Sequence, residues 1–420
     1  MKQSKLPVVI VGSGLAGLCC ARELTEQGVA VEVLEAGDGV GGRVRTDEVD
    51  GFLLDHGFQV LQTAYPEAQR VLDYPALQLR PFEPGALIHW NGRVDLLSDP
   101  WRRPSQAPRS LFNGLGSLID RWKLAQMRFH LVHTPLASLL REPDSTTGSY
   151  LSDEWKFSDE MIERFFRPWL SGVFLERELR TSSRFFKFIF RMFALGDTAL
   201  PARGMGAITA QLADRLPAGS IQLNTQVARV EGTEVRLANG RTLAAQAVVV
   251  ATDGPAAALL TGRPELKPES RATTCFYFAA ERPPVADPIL VLNGDPTGPI
   301  NHLCVPSQVA STYAPTGKSL ISVSVLGEAA GDELARLELD VRHQLADWFG
   351  PEALTWRPLR SYTIRHALPA QPVGRWDEPS PTNQCGPRLF ACGDYRESAS
   401  IQGAMLSGRR TAEEVLTLIS

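Results

Sequence analysis

The stretch Pro7-Val-Val-Ile-Val11-Gly12-Ser13-Gly14-Leu15-Ala16-Gly17 decides the fold. Its first five residues form an apolar, largely β-branched run, which predicts a buried strand. Three glycines follow at the G-x-G-x-x-G spacing, and a helical pattern runs from Leu15 to Gln27 before Gly28 stops it. Val29 to Leu34 is a second apolar run, ended by Glu35. Strand, helix and strand in this order imply a parallel sheet. In such a turn Gly12 permits the tight bend, Gly14 lets backbone approach a pyrophosphate, and Gly17 lets the helix close on the strand. Ser13, Leu15 and Ala16 belong to the same turn, where free N–H groups of the helix start face the phosphate charge. Glu35, with Ala36 behind it, stands where a carboxylate accepts hydrogen bonds from a ribose diol. Its charge also disfavours a 2′-phosphate.

The next segment is Gly39-Val-Gly41-Gly42-Arg43-Val-Arg45-Thr46. Its Gly-Gly-Arg-x-x-Thr pattern, just after the acidic residue, resembles the superfamily of flavin amine oxidases, phytoene desaturases and protoporphyrinogen oxidases. The resemblance implies FAD as cofactor, with Gly41 and Gly42 bringing backbone against it and Arg43 near the pyrophosphate. A guanidinium is a natural bidentate partner for phosphate oxygens. Where the family often has an arginine three residues before the glycine pair, this chain has Asp38.

The C-terminal end carries an independent match. Leu389-Phe-Ala-Cys392-Gly393-Asp394-Tyr395, followed by Ser400-Ile401-Gln402-Gly403-Ala404-Met-Leu-Ser407-Gly408-Arg409, resembles the closing motif of the same superfamily, most closely that of plant-type carotene desaturases. That likeness implies that Gly393 and Asp394 hold the ribityl or phosphate region, while Ile401, Gln402 and Ala404 start a helix beside the flavin ring. Val248 to Thr252 resembles the second nucleotide strand, placing Ala251 and Thr252 at the cofactor; Val227 would pack on the adenine. In the family, the loop that here reads Asp55-His56-Gly57-Phe58-Gln59 approaches the flavin. His56 is therefore a candidate acid/base or ring-orienting group, or a plain hydrogen-bonding loop histidine.

The expected fold is α/β: a Rossmann-like FAD-binding domain from residues 1–75, 200–265 and 385–420, interleaved with a mixed α+β substrate domain from 76–199 and 266–384. Leu115 to Leu140, Asp153 to Leu195 and Gly206 to Leu216 read as helical, Ile221 to Ala251 as strands with a tight turn at Asn239-Gly240. The chain has 420 residues, 44% apolar and 21% charged, an ordinary globular mix. A net charge of -4 argues against nucleic acid as a partner. The six cysteines show neither C-x-x-C nor zinc spacing, so no metal site is expected and a reducing compartment is. Met1 to Lys5 and the apolar run after it mimic a secretory signal, but the glycine spacing explains that run. The expectation is a cytoplasmic protein, with peripheral membrane contact left open.

Amine-oxidising relatives share a lysine near flavin N5 and a cage tyrosine just before the Gly-Ala pair. Arg271 to Phe278 contains no lysine, and Ser400 stands in the tyrosine's place. Phe165, Phe166, Trp169, Phe174, Phe185, Phe186, Phe188, Phe190 and Phe193 offer either a lipophilic substrate tunnel or a helical core. Arg184, Lys187 and Arg191 recur at helical spacing, as a solvated face or a membrane-facing one. The reading is an FAD-dependent oxidoreductase acting on C–H bonds of a lipophilic small molecule, desaturase-like or isomerase-like. The alternatives are a peroxide-releasing amine oxidase and a catalytically silent flavin-binding assembly protein.

Overall fold

A computed structural model describes residues 6–103, 115–377 and 382–420. Met1 to Lys5, where the signal-like reading begins, lie outside them. The first strand is Val8–Val11, buried at every position, and the helix Leu15–Glu26 follows directly. Val31–Leu34 pairs parallel to the first strand on one side, Ala247–Val250 on the other. The sheet continues outward to Ile221–Gln222 at one edge, and through Leu389–Ala391 to antiparallel Gln384–Gly386 at the other. Three distant segments of the chain thus share one doubly wound sheet.

Close helix contacts bring the two ends of the sequence together. A Cβ on Gly17 would stand 2.1 Å from the Gly12 carbonyl oxygen, so only glycine lets this helix sit so near its own strand. The C-terminal helix Ile401–Ile419 packs on the same helix, and a Cβ on Gly408 would stand 2.2 Å from Ala16 O. Asn239-Gly240 turns the chain between Glu234–Leu237 and Thr242–Ala244, with Gly240 at φ +86°. Both belong to a small antiparallel sheet with Val227–Glu231.

The second lobe is built on a seven-stranded sheet of order Arg357–Pro369, Ser270–Ala280, Ser319–Leu326, Ile300–Cys304, Leu290–Asn293, Gly85–Trp90, Arg93–Ser98. Strand alternation gives it two faces. Phe276, Phe278, Ile321 and Val323 cover one, under Val341 and Leu345 of the helix Asp332–Phe349. Cys275 and Tyr277 point to the other, toward the helices Leu118–His133, Arg167–Phe174 and Ser183–Leu195.

The last of these helices corrects the basic stripe expected at its surface. Arg184 and Lys187 are buried. Arg184 donates to Glu142 O and pairs with Asp377 at 2.6 Å. Lys187 pairs with Glu142 at 2.8 Å and lies over the Tyr150 ring. Arg191 donates to the carbonyls of Val132 and Thr134, at the end of Leu118–His133. Arg184 and Lys187 brace the lobe from within, and the half-buried Arg191 ties the helix to the end of its neighbour.

Candidate active site

A cavity of about 930 Å³ runs from the Gly12 turn to the helical lobe. At its first end, Gly12 takes φ +103°, and a Cβ there would stand 3.0 Å from Ala251 O. Gly14 differs: an added Cβ would meet nothing closer than Gly41 O at 3.9 Å. Protein packing does not demand glycine at 14. The room beside it belongs to the cavity, as a close backbone approach to a phosphate needs. The helix start at Gly14 has no side-chain cap, leaving its N–H groups for an anion. Gly41 N donates to Ser13 O at 2.9 Å, which sets the second glycine turn against the first.

Glu35 lines this end of the cavity and is held in place. Its Oε2 accepts from Ser13 N at 2.9 Å and Ser13 Oγ at 2.7 Å, its Oε1 from Gly37 N at 2.8 Å. Oε2 is thereby filled, while Oε1 keeps a lone pair for a ribose hydroxyl. Ser13 itself is fully buried and off the cavity wall, so it acts by positioning Glu35. Asp38, where the family's arginine is missing, pairs with Arg45 at 2.8 Å; that hydrogen bond holds the Asp38 carboxyl below its ordinary range.

Arg43 sits between the two halves of the cofactor constellation. It donates to Asp394 Oδ1 and to Ala367 O, both at 2.8 Å. Burial opposes its charge, but the Asp394 contact outweighs burial and holds the guanidinium pKa above its ordinary value. Arg43 and Asp394, remote in sequence, meet on the cavity wall. Gly393 N is tied to Ser407 Oγ at 3.1 Å. Ser400 caps the last helix, accepting from Gly403 N at 3.0 Å, and Ile401 and Ala404 face the cavity.

The loop after Asp55 forms the next section of wall. Gly57 (φ +82°) lies close against Ile364, Gln59 donates to the carbonyls of Arg43 and His56, and Phe58 is a wall residue. His56 Nε2 lies 3.1 Å from Asp47 Oδ1, and its ring stacks near Tyr362 at 4.9 Å. Asp47 also accepts from Tyr362 OH at 2.8 Å and Arg360 at 2.7 Å. Burial works against the Asp47 charge, yet the His56 and Tyr362 contacts hold its carboxyl below the usual range. Asp55, beside it, is buried. Desolvation pushes its carboxyl up to about 6 against hydrogen bonds from Thr46, Met205 N and Tyr313.

Of the residues expected at the cofactor, Gly12, Gly14, Leu15, Ala16, Glu35, Ala36, Gly41, Gly42, Arg43, Gly57, Phe58, Gln59, Val227, Ala251, Thr252, Gly393, Asp394, Ile401 and Ala404 line the one cavity. Ser13, Gly17 and Gln402 do not. Gln402 is turned away, its Oε1 accepting from Glu67 N at 2.8 Å. The far arm has walls that no motif announced, among them Phe82, Trp101, Leu124 and His302. Thr273 and Ser324 enter from the large sheet. Period-2 alternation through Arg271 to Phe278 is a signal that could have singled out Thr273, since it shares a face with Cys275 and Tyr277.

The model of a family described as flavin containing amine oxidoreductase matches residues 15–416. Coproporphyrinogen III oxidase of Propionibacterium freudenreichii subsp. freudenreichii is 25% identical over 97% of this chain and 90% of its own. The zeta-carotene-forming phytoene desaturase of Myxococcus xanthus is 34% identical, over 21% of this chain and 18% of its own. Among solved structures, a putative protoporphyrinogen oxidase from Exiguobacterium sp. 255-15 superposes with TM-score 0.74 at 19% identity, covering 99% of this chain and all of that one. The chain belongs to the flavin-containing amine oxidoreductase family, as an FAD-dependent oxidoreductase.

Proposed function

We propose that this enzyme oxidises a C–H bond of an uncharged, largely apolar small molecule held in the far arm of the cavity. The observation that carries the reading is the composition of that arm. Phe82, Trp101, Leu124, Phe165, Trp169 and Phe193 line it, and no lysine stands anywhere on the described cavity wall. Thr273 occupies the wall where the strand Ser270–Ala280 reaches the cavity. Arg102 and Arg128 also line the arm, but Arg102 is paired with Asp197, and Arg128 lies 3.7 Å from Asp99. The acids on this wall, Glu83 and Asp99, already face Arg103 and Arg128, so an ammonium ion entering there would be desolvated with no free carboxylate among the described residues to meet it, a substantial penalty. A carbon skeleton gains about 25 cal/mol per Å² on burial. FAD, when bound, supplies the two-electron chemistry. The chain's own groups exclude water, with the aromatic walls, and orient the substrate against Gly57-Phe58 and Ile401. His56, held near Asp47, is a candidate for positioning the reacting face. The carotene named for one relative supports a carbon-centred, apolar substrate. Anaerobic screening of neutral lipophilic compounds for loss of visible flavin absorbance tests the reading. Reduction by some member of that panel is the expected result; reduction by amines alone would overturn it.

Access to the arm is proposed to come from a lipid surface. The helix Leu118–His133 turns Leu124 and Arg128 to the cavity. Its outer face carries Leu118, Ile119, Trp122 and Phe129, which are 70, 63, 62 and 65% exposed. A contiguous apolar face of this kind calls for a partner. The same helix holds three cations, Arg121, Lys123 and Arg128, against one acid, Asp120. These cations are tied within the chain, Arg121 to Leu115 O, Lys123 to Lys156 O and Arg128 to Ala194 O, so the apolar contact, with the aromatics at the interface, carries the reading. None of the described helices is long and apolar enough to cross a membrane.

A further inference from the structure

We propose that Tyr65 is a substrate-contacting residue whose hydroxyl donates a hydrogen bond to a carbonyl oxygen on an otherwise apolar substrate. The inference rests on the reading of the apolar arm as the substrate site. It narrows the ligand to a carbonyl compound, in place of a pure hydrocarbon.

Tyr65 stands where the two lobes meet. It follows the strand Leu61–Gln62 and immediately precedes the helix Pro66–Val71. Two residues on, Glu67 N donates to Gln402 Oε1 at 2.8 Å. That bond ties the turn to the start of Ile401–Ile419, whose Ile401 and Ala404 face the cavity. On its other side the Tyr65 ring lies nearly parallel to that of Phe188, with centroids 6.1 Å apart. Phe188 belongs to Ser183–Leu195, the helix that sends Ile189, Phe190 and Phe193 to the wall. Tyr65 is itself a wall residue, and the only tyrosine on the described wall.

Its hydroxyl has no hydrogen-bond partner among the described residues. Tyr65 precedes a helix but its side chain does not cap it. Gln62, three residues back on the same wall, donates to Thr198 Oγ1 at 3.0 Å instead. Other buried phenols are paired or shut in. Tyr277 donates to Asp55 O and Tyr313 to Asp55 Oδ2, while the unpaired Tyr395 hydroxyl is sealed in the core. The Tyr65 hydroxyl is neither. The residue is 6% exposed, its hydroxyl is not among the sealed unpaired atoms, and the surface it shows is cavity wall.

A buried tyrosine normally finds a partner for its O–H. Here the open side faces the cavity, so the partner comes from whatever fills it. Burial pushes the phenol above its ordinary range, and nothing opposes the shift. The group therefore stays neutral and keeps its proton to donate. A carbonyl oxygen, which can only accept, is its complement. Stacking on Phe188 would be served equally by phenylalanine; the hydroxyl is what tyrosine adds.

The test uses the FAD-loaded full chain and two probes of one skeleton: β-ionone, a terpenoid ketone, and the hydrocarbon with CH2 in place of its carbonyl. Binding is followed by tryptophan fluorescence and by the shift in the flavin spectrum. The unaltered protein is expected to hold the ketone roughly tenfold tighter, a single neutral hydrogen bond's worth. Tyr65→Phe, which keeps the ring and removes only the hydroxyl, should abolish that preference and leave hydrocarbon affinity in place. FAD content and Tm check that the variant folds. Infrared difference spectra of carbonyl-labelled β-ionone give a second reading that needs no variant. The bound C=O stretch should lie below its position in alkane solvent, as hydrogen bonding requires. An unshifted stretch would overturn the proposal, as would a ketone preference that survives in Tyr65→Phe. Equal binding of both probes by the unaltered protein would overturn it too, while leaving the apolar arm in place. Binding of neither probe would overturn the apolar substrate site, and the Tyr65 role with it.

Discussion

Glu35 illustrates how much one carboxylate does at the residue scale. Its hydrogen bonds from Ser13 and Gly37 shape the first turn before any ribose arrives. Charge-assisted hydrogen bonds are worth roughly 1.5–3 kcal/mol, so Glu35→Ala should weaken FAD binding by about ten- to a hundred-fold in reconstitution titrations of the apoprotein. Unchanged affinity in a folded variant would remove Glu35 from the site. Asp55 makes a different prediction. Its folded pKa, about 6, lies above the ordinary 3.8. The fold therefore favours the protonated acid. The stability this contributes is full below 3.8 and is lost as pH rises through about 6. Asp55→Asn should flatten that part of the Tm profile. The difference between the two profiles over this window should reach roughly 1–3 kcal/mol. Parallel profiles would show that Asp55 does not ionise in this range.

Two helices carry the predictions that belong to whole elements. Leu15–Glu26 and Ile401–Ile419 touch through Gly408, with no room for a methyl group against Ala16 O. Gly408→Ala should force them apart, shift both cofactor motifs and lower Tm and FAD retention together, by about 1–3 kcal/mol as for other overpacked contacts. A normal Tm with full FAD content would mean that the helices adjust without consequence. Leu118–His133 makes the second. Replacing Trp122 and Phe129 together with serine should abolish co-sedimentation with phosphatidylglycerol vesicles and leave FAD content unchanged. Retained vesicle binding would place the lipid contact elsewhere, and self-association lost in the variant would identify the face as an interface between copies. The helical periods of both elements were readable beforehand. Their roles were not: periodicity shows which residues share a face, but not what that face meets. Arg184 and Lys187 make the point, since two members of a stripe suited to a surface became an internal brace of the helical lobe.

At the scale of the molecule, one cavity spans both lobes, with charged and glycine-rich walls at one end and aromatic walls at the other. That division sets the substrate prediction. Rapid anaerobic mixing with common mono- and polyamines should leave the flavin oxidised, while a neutral lipophilic compound reduces it. Rapid reduction by any such amine would restore amine oxidation as the activity. The division also separates the aromatics of 165–193. Phe165, Trp169, Phe190 and Phe193 reach the cavity, whereas Phe166, Phe185 and Phe186 are interior packing. One cluster thus divides between cavity wall and interior core.

What the sequence determined alone was the part governed by local backbone geometry. A positive φ at Gly12 and the contact at Gly17 each exclude a side chain, so these glycines encode the turn directly. The strand–helix–strand unit, the place of Glu35 and the C-terminal motif were legible for that reason. Tertiary structure decided whatever depends on partners far along the chain. Arg43 meets Asp394, and His56 is set by Asp47 and Tyr362. The far arm draws its wall from several separated segments, brought together by packing of the large sheet against three helices. No spacing in the sequence records such meetings, because side-chain contacts across hundreds of residues leave no local constraint on either partner.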